Sequence, residues 1–107
     1  MQFPIVAQQL TITIIQLFHI LHVFGCFWYF TTKLNIYTKV NWAYVNGLSN
    51  SPIVEKYMAS LYWATVTCTT VGYGDILPTN KYELAWALVI IVFGVAIFSY
   101  FLSNMAA

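Results

Sequence analysis

The chain has 107 residues, 61% hydrophobic and 19% aromatic, with 7% charged and a formal net charge of +1. Soluble domains carry roughly 25% charged residues, so most of this surface is not built for water, and so small a net charge gives no reason to expect a nucleic-acid partner. The four lysines and three acidic residues all lie between Lys33 and Glu83, which leaves at each end an uncharged stretch longer than the about 20 apolar residues that a membrane-crossing helix needs.

Pro4 suits the first turn of a helix and predicts an outer helix over residues 5–32. Gln16, His19, His22 and Cys26 fall on one stripe of that helix, which is expected to face protein because unpaired polar groups are costly in lipid. His19 and His22 are expected to pack against a neighbouring helix in preference to holding a metal. Cys26 and Cys68 lie in apolar runs without C-x-x-C spacing, so buried thiols are expected and not a disulfide or zinc site. The aromatic run Phe27, Trp28, Tyr29 and Phe30 suits a membrane–water boundary. No basic region precedes the apolar stretch, which argues against a cleaved leader.

Residues 33–52, with Lys33, Asn35, Thr38, Lys39, Asn41 and Asn46, read as a polar loop, with Trp42 and Tyr44 as interfacial anchors. Ser51-Pro52 is a cap-then-proline start for a helix over residues 53–69, too short to span and suited to re-entry. The glycine-rich segment 70–74 and a loop through Pro78 follow. Asn80 and Glu83 form a capping-box pattern that opens an inner helix over residues 81–105. The expected fold is an all-α membrane protein, two transmembrane helices flanking a short re-entrant helix and an irregular segment. Irregular backbone at membrane depth is tolerated where it lines water or is buried in protein. One chain with two spans cannot enclose such a path, so several copies around an axis are expected.

Thr70-Val71-Gly72-Tyr73-Gly74 carries the chemistry. Glycines at 72 and 74 allow backbone conformations that L-residues resist, so successive carbonyls can turn to one side and replace the hydration oxygens of an ion. The Thr70 hydroxyl adds a further oxygen. Thr-Val-Gly-Tyr-Gly is itself the established potassium-filter loop, so this assignment is a match of sequence. A turn of Gly-Tyr-Gly in an ordinary loop is the alternative, weakened by the apolar helix before it and the spans on both sides.

The stretch from Leu61 to Pro78, LYWATVTCTTVGYGDILP, resembles the pore region of tetrameric potassium channels. His22-x-x-x-Cys26-x-Trp28-Tyr29, together with Gly94 and Asn104, is similar to the ether-à-go-go and plant inward-rectifier branch, which carries a cyclic-nucleotide-binding-like domain. The resemblance implies passive potassium conduction through a homotetramer or mixed tetramer in a lipid bilayer, the plasma membrane expected. Both termini would be cytoplasmic and the 33–52 loop outside. Potassium would bind at Thr70, Val71, Gly72 and Tyr73 as the permeant ion, with no cofactor and no enzymatic activity. A truncated subunit that modifies full-length partners is the alternative, since neither voltage sensor nor ligand-binding domain is seen.

The resemblance also assigns supporting roles. Asp75 would gather cations at the outer mouth or brace the filter, and Leu77 would face the axis two residues beyond it. Trp63 and Thr67 would bond Tyr73. Tyr62 stands where the family commonly has tryptophan, so its contact to Asp75 is in doubt and a weaker brace is expected. Phe98 and Leu102 would line a cavity, with core packing as their alternative. Gly94 would supply any bend of the inner helix, which lacks a Pro-x-Pro pattern.

Overall fold

The computed structural model describes residues 3–34 and 39–106. Asn35 and Thr38, assigned above to the polar loop, lie outside the described residues. The described residues form four α-helices in order: α1 (Phe3–Phe30), α2 (Trp42–Val45), α3 (Ile53–Cys68) and α4 (Lys81–Ala106). The outer helix thus starts two residues before the expected position. It ends at Phe30 and tightens into a 3₁₀ turn over Thr31–Lys33, a frequent way to finish a helix.

Within the apolar run of α1 the threonines satisfy themselves. Thr11 and Thr13 donate to the carbonyls of Ala7 and Gln9, each at 2.8 Å, which removes unpaired hydroxyls where no water competes. The helices Pro4–Lys33 and Lys81–Ala106 are both long and apolar enough to cross a membrane. Each displays large apolar side chains outward, Ile15 and Phe18 on α1, Val92 and Phe93 on α4. Such a surface is stable against lipid and a liability in water.

The re-entrant helix α3 packs against both long helices. It ends at Cys68, with Thr69 as its C-cap, one residue short of the expected 69. Its start differs more: Pro52 is the N-cap and no side chain caps the helix, so Ser51 does not play the expected role. Close approach to α1 occurs at Gly25, where a Cβ would stand 3.2 Å from the backbone of Ser60 and Leu61. Close approach to α4 occurs at Gly94, where a Cβ would fall 2.7 Å from Cys68 Sγ.

Three tryptophans stack into one column. Trp28 lies 3.7 Å from Trp63 with ring planes 5° apart, and 5.6 Å from Trp42 on its other side. Trp42 Nε1 also donates to the Trp28 carbonyl at 3.1 Å. Trp42 is therefore fully buried and not an interfacial anchor, whereas Tyr44 is exposed. The loop folds inward because this column and Glu83 hold it. Glu83, fully buried, accepts from Trp42 N at 3.0 Å, from Thr79 N and Oγ1 at 2.9 Å, and from Asn80 Nδ2 at 3.2 Å. Asn80 Oδ1 caps α4 by accepting from Tyr82 N and Glu83 N, as the capping-box pattern requires, although the returning carboxylate reaches Thr79 N.

Of the polar stripe on α1, His22 alone meets a polar partner on α3, its Nδ1 lying 2.6 Å from Tyr57 Oη. Gln16, His19 and Cys26 are exposed on the single chain, so the expectation of a buried Cys26 thiol does not hold. Cys68 is buried as expected. Among the described residues no group of three or more His, Cys, Asp or Glu is placed to hold a metal ion.

Candidate functional site

The chain leaves α3 through a run of threonines. Thr69 N and Oγ1 both point back to the Thr65 carbonyl, at 3.0 and 2.6 Å, and use up an acceptor that the helix end would leave orphaned. Gly72 N then donates to the Val66 carbonyl at 3.1 Å. With the longer bond from Thr70 N to the Thr67 carbonyl at 3.4 Å, it ties the glycine-rich segment against the last turn of α3.

Left-handed backbone recurs at every second residue: φ is 66° at Thr70, 58° at Gly72 and 78° at Gly74. Val71 and Tyr73 between them have negative φ. In a regular strand, carbonyls alternate in direction from one residue to the next. Inverting the sign of φ at alternate residues undoes that alternation and lets neighbouring carbonyls share a side. Glycine adopts such a φ without penalty. Thr70 does not: a β-branched residue at positive φ is an outlier, and sparsely populated conformations of this kind cost about 1–3 kcal/mol. The strain sits at the first residue of the motif, where the chain leaves α3.

The whole row from Thr70 to Asp75 is exposed on the single chain, with Tyr73 at 71% of its full exposure. Its backbone oxygens and the Thr70 hydroxyl suit a hard cation stripped of water. An open face cannot surround an ion by itself, and equivalent faces from further copies would have to close it.

Beyond the row, Asp75 is held at both oxygens. Tyr62 Oη donates to Oδ2 at 2.7 Å, and Ile76 N donates to Oδ1 at 3.1 Å. The Tyr62 hydrogen bond holds the Asp75 carboxyl below the ordinary carboxylate range, against a smaller opposing effect of desolvation. The contact that the sequence left in doubt is thus made, by a phenol in place of an indole. Tyr62 also lies parallel to Tyr73, ring centroids 6.5 Å apart.

Trp63 and Thr67 do not bond Tyr73 within this chain. Trp63 is buried against Trp28, and Tyr73 leans outward over Tyr62. Trp63 and Thr67 instead wall a cleft of about 310 Å³ between the glycine-rich segment and α4, where Ala87 and Leu88 form the far side. Leu77, at 57% exposure, lies on its rim. On α4, Phe98 is half-buried and Leu102 exposed, and neither lines the cleft beside the glycine-rich segment. Gly94 is buried against Cys68 and the helix runs unbroken through it, so its visible role is close packing.

The Val66 carbonyl, Gly25 and Trp28 position α3 and the segment after it. Val66 and Trp28 lie in the patterns quoted above without an assigned role at the site, and Gly25 carries no motif.

Residues 5–107 match the sequence profile of a family described as "Ion channel". The potassium channel AKT1 of Arabidopsis thaliana is 31% identical over 86 residues, covering 78% of this chain and 10% of that protein. The rice potassium channel KAT1 is 29% identical over 86 residues, 78% of this chain and 12% of its own length. A shorter stretch of 55 residues is 44% identical to the rice potassium channel KOR2, 51% of this chain and 8% of that protein. The chain spans about a tenth of the length of these relatives.

Proposed function

We propose, from the premise that this chain belongs to the ion channel family it matches over residues 5–107, that it forms one quarter of a potassium-selective pore. Thr70 to Gly74 supply the filter, with potassium coordinated by the Thr70 hydroxyl and the carbonyls of Thr70, Val71, Gly72 and Tyr73. Asp75 sets the outer mouth, and Tyr62 braces it. Trp63 and Thr67 back the filter from α3. Phe98 and Leu102 face a central cavity, and Gly94 gives α4 any bend it needs. Transport is passive, across the plasma membrane. Tetramers form from identical or related subunits, as the pore part of a channel of the voltage-gated or cyclic-nucleotide-domain type.

One observation carries this proposal: positive φ at Thr70, Gly72 and Gly74, on a sequence whose alternating conformation serves the oxygen ladder a dehydrated cation needs. The names of the relatives favour potassium as that cation.

The test is the reversal potential of the purified chain in planar bilayers. It should follow the potassium gradient and stay there when sodium replaces an inert cation. A reversal potential that ignores external potassium sinks the proposal. Gly72→Ala should abolish selective current, because a side chain at φ 58° opposes the required backbone by roughly 1–2 kcal/mol per subunit.

A further inference from the structure

At the end of α1 lies a second polar cleft, separate from the glycine-rich segment. It measures about 140 Å³ and is lined by Tyr29, Lys33, Asn41, Ser49 and Lys56 among others. Three elements meet there: the end of the outer helix, the start of α2 and the first turn of α3. Each of these five side chains can donate a hydrogen bond, and two of them carry full positive charge. Among the described residues no carboxylate lines the space, Glu55 beside Lys56 in sequence being exposed outside it. Glu83 is committed to Trp42, Thr79 and Asn80, and Asp75 to Tyr62. Lys33 Nζ is steadied over the Tyr29 ring, 5.6 Å from its centroid.

Two ammonium groups that share one small space repel each other, and an anion between them reverses the sign of that energy. The cleft has room for roughly five waters at ~30 Å³ each, a volume that a phosphate group with its ester oxygens fills. Phe27 and Phe30, in the last turn of α1 on a neighbouring face, are half-exposed and carry the apolar surface of the span up to Tyr29, a residue type enriched where lipid meets water. An anion that carries its own hydrocarbon chains is therefore within reach. A choline headgroup would bring a competing cation to the lysines, so a net negative headgroup fits better.

We propose that this cleft binds the phosphate of an anionic phospholipid, with Lys33 and Lys56 clasping its oxygens and Tyr29 and Ser49 donating from the walls. Binding there ties the end of α1 to the start of α3, and it is independent of ion selectivity.

Native mass spectrometry of the full chain in detergent tests it, with phosphatidylglycerol, phosphatidylcholine and inorganic phosphate as probes. Phosphatidylglycerol should be retained and phosphatidylcholine released. A lysine near a membrane surface contributes about 1 kcal/mol toward an anionic lipid. K33Q or K56Q alone should thus weaken phosphatidylglycerol binding by roughly fivefold, and the pair by roughly thirtyfold. The K33R/K56R pair should retain it. K81Q, at the same end of the molecule but outside the cleft, should bind like the parent. Inorganic phosphate should compete only at far higher concentration than the lipid. Equal retention of the two lipids, full retention by the glutamine pair, or phosphate binding as tightly as the lipid each overturns the proposal. Should the glutamine pair fail to fold, the two single variants decide.

Discussion

Tyr62 and Asp75, thirteen residues apart, share a 2.7 Å hydrogen bond across the outer end of the glycine-rich segment. Tyr62→Phe removes the donor and keeps the ring, so current through the pore should decay faster under steady activation. Tyr62→Trp supplies an N–H in its place and should stay near the parent. Asp75 is held below the ordinary carboxylate value, so its bond contributes fully above that value, about 4, and is lost as pH falls through the lowered one. Decay should therefore be steady from neutral pH down to mild acid and accelerate only in strong acid. Tyr62→Phe should move that onset to higher pH. An onset unchanged by the substitution would count against the brace.

A methyl group added at Gly94 would stand 2.7 Å from Cys68 Sγ. Gly94→Ala should destabilise the fold by about 1–3 kcal/mol, as overpacked sites do. Cys68→Ala frees that space, so the double variant should recover much of the loss. Thermal unfolding in detergent measures the four-way cycle. Additive effects would mean that α3 and α4 do not meet as described.

Glu83 accepts from both sides of the loop, and Gln at that position would offer an NH₂ to groups that are themselves donors. Glu83→Gln should cost on the order of 1–3 kcal/mol. Amide exchange locates the damage: Trp42 N and Thr79 N, both bonded to Glu83, should lose protection while amides in the middle of α3 keep theirs. Uniform loss across the chain would instead indicate global unfolding.

Leu77 is exposed beyond Asp75 and offers an external tetraethylammonium ion neither a π face nor a polar atom. Block of the parent should be weak. Leu77→Tyr would place four rings around the axis of the proposed tetramer. At ~0.5 kcal/mol for each exposed cation–π contact the gain sums to about 2 kcal/mol, or roughly thirtyfold in affinity. Dose–response curves decide it, and a tyrosine variant no more sensitive than the parent would mean that position 77 does not face the axis.

The architecture was legible because lipid imposes its own pattern: charge confined to residues 33–83 and two long apolar runs leave few alternatives. The role given to 70–74 rests on a match of sequence, whereas the positive φ at Gly72 and Gly74 was legible because glycine is the residue that adopts it without penalty. What escaped depended on distant partners. Trp42 looked like an interfacial anchor, and only the approach of α1 shows it stacked on Trp28. Glu83 announced a helix cap, yet its main partner besides Thr79 and Asn80 is a backbone amide 41 residues away. Ring shape alone, differing from the familial indole, argues against a full bond from Tyr62 to Asp75, whereas the reach of the hydroxyl makes it.

The left-handed φ of Thr70 bears on how the protein should be handled. A conformation that costs energy, at the head of a segment whose alternating φ lets its oxygens share a side, persists best when something positive sits among them. On the proposed function the permeant ion is then part of the fold, and its binding stabilises the assembled state by mass action. Potassium concentration becomes a folding variable: oligomers purified in sodium alone should fall apart at lower temperature than those kept in potassium, before any current is measured.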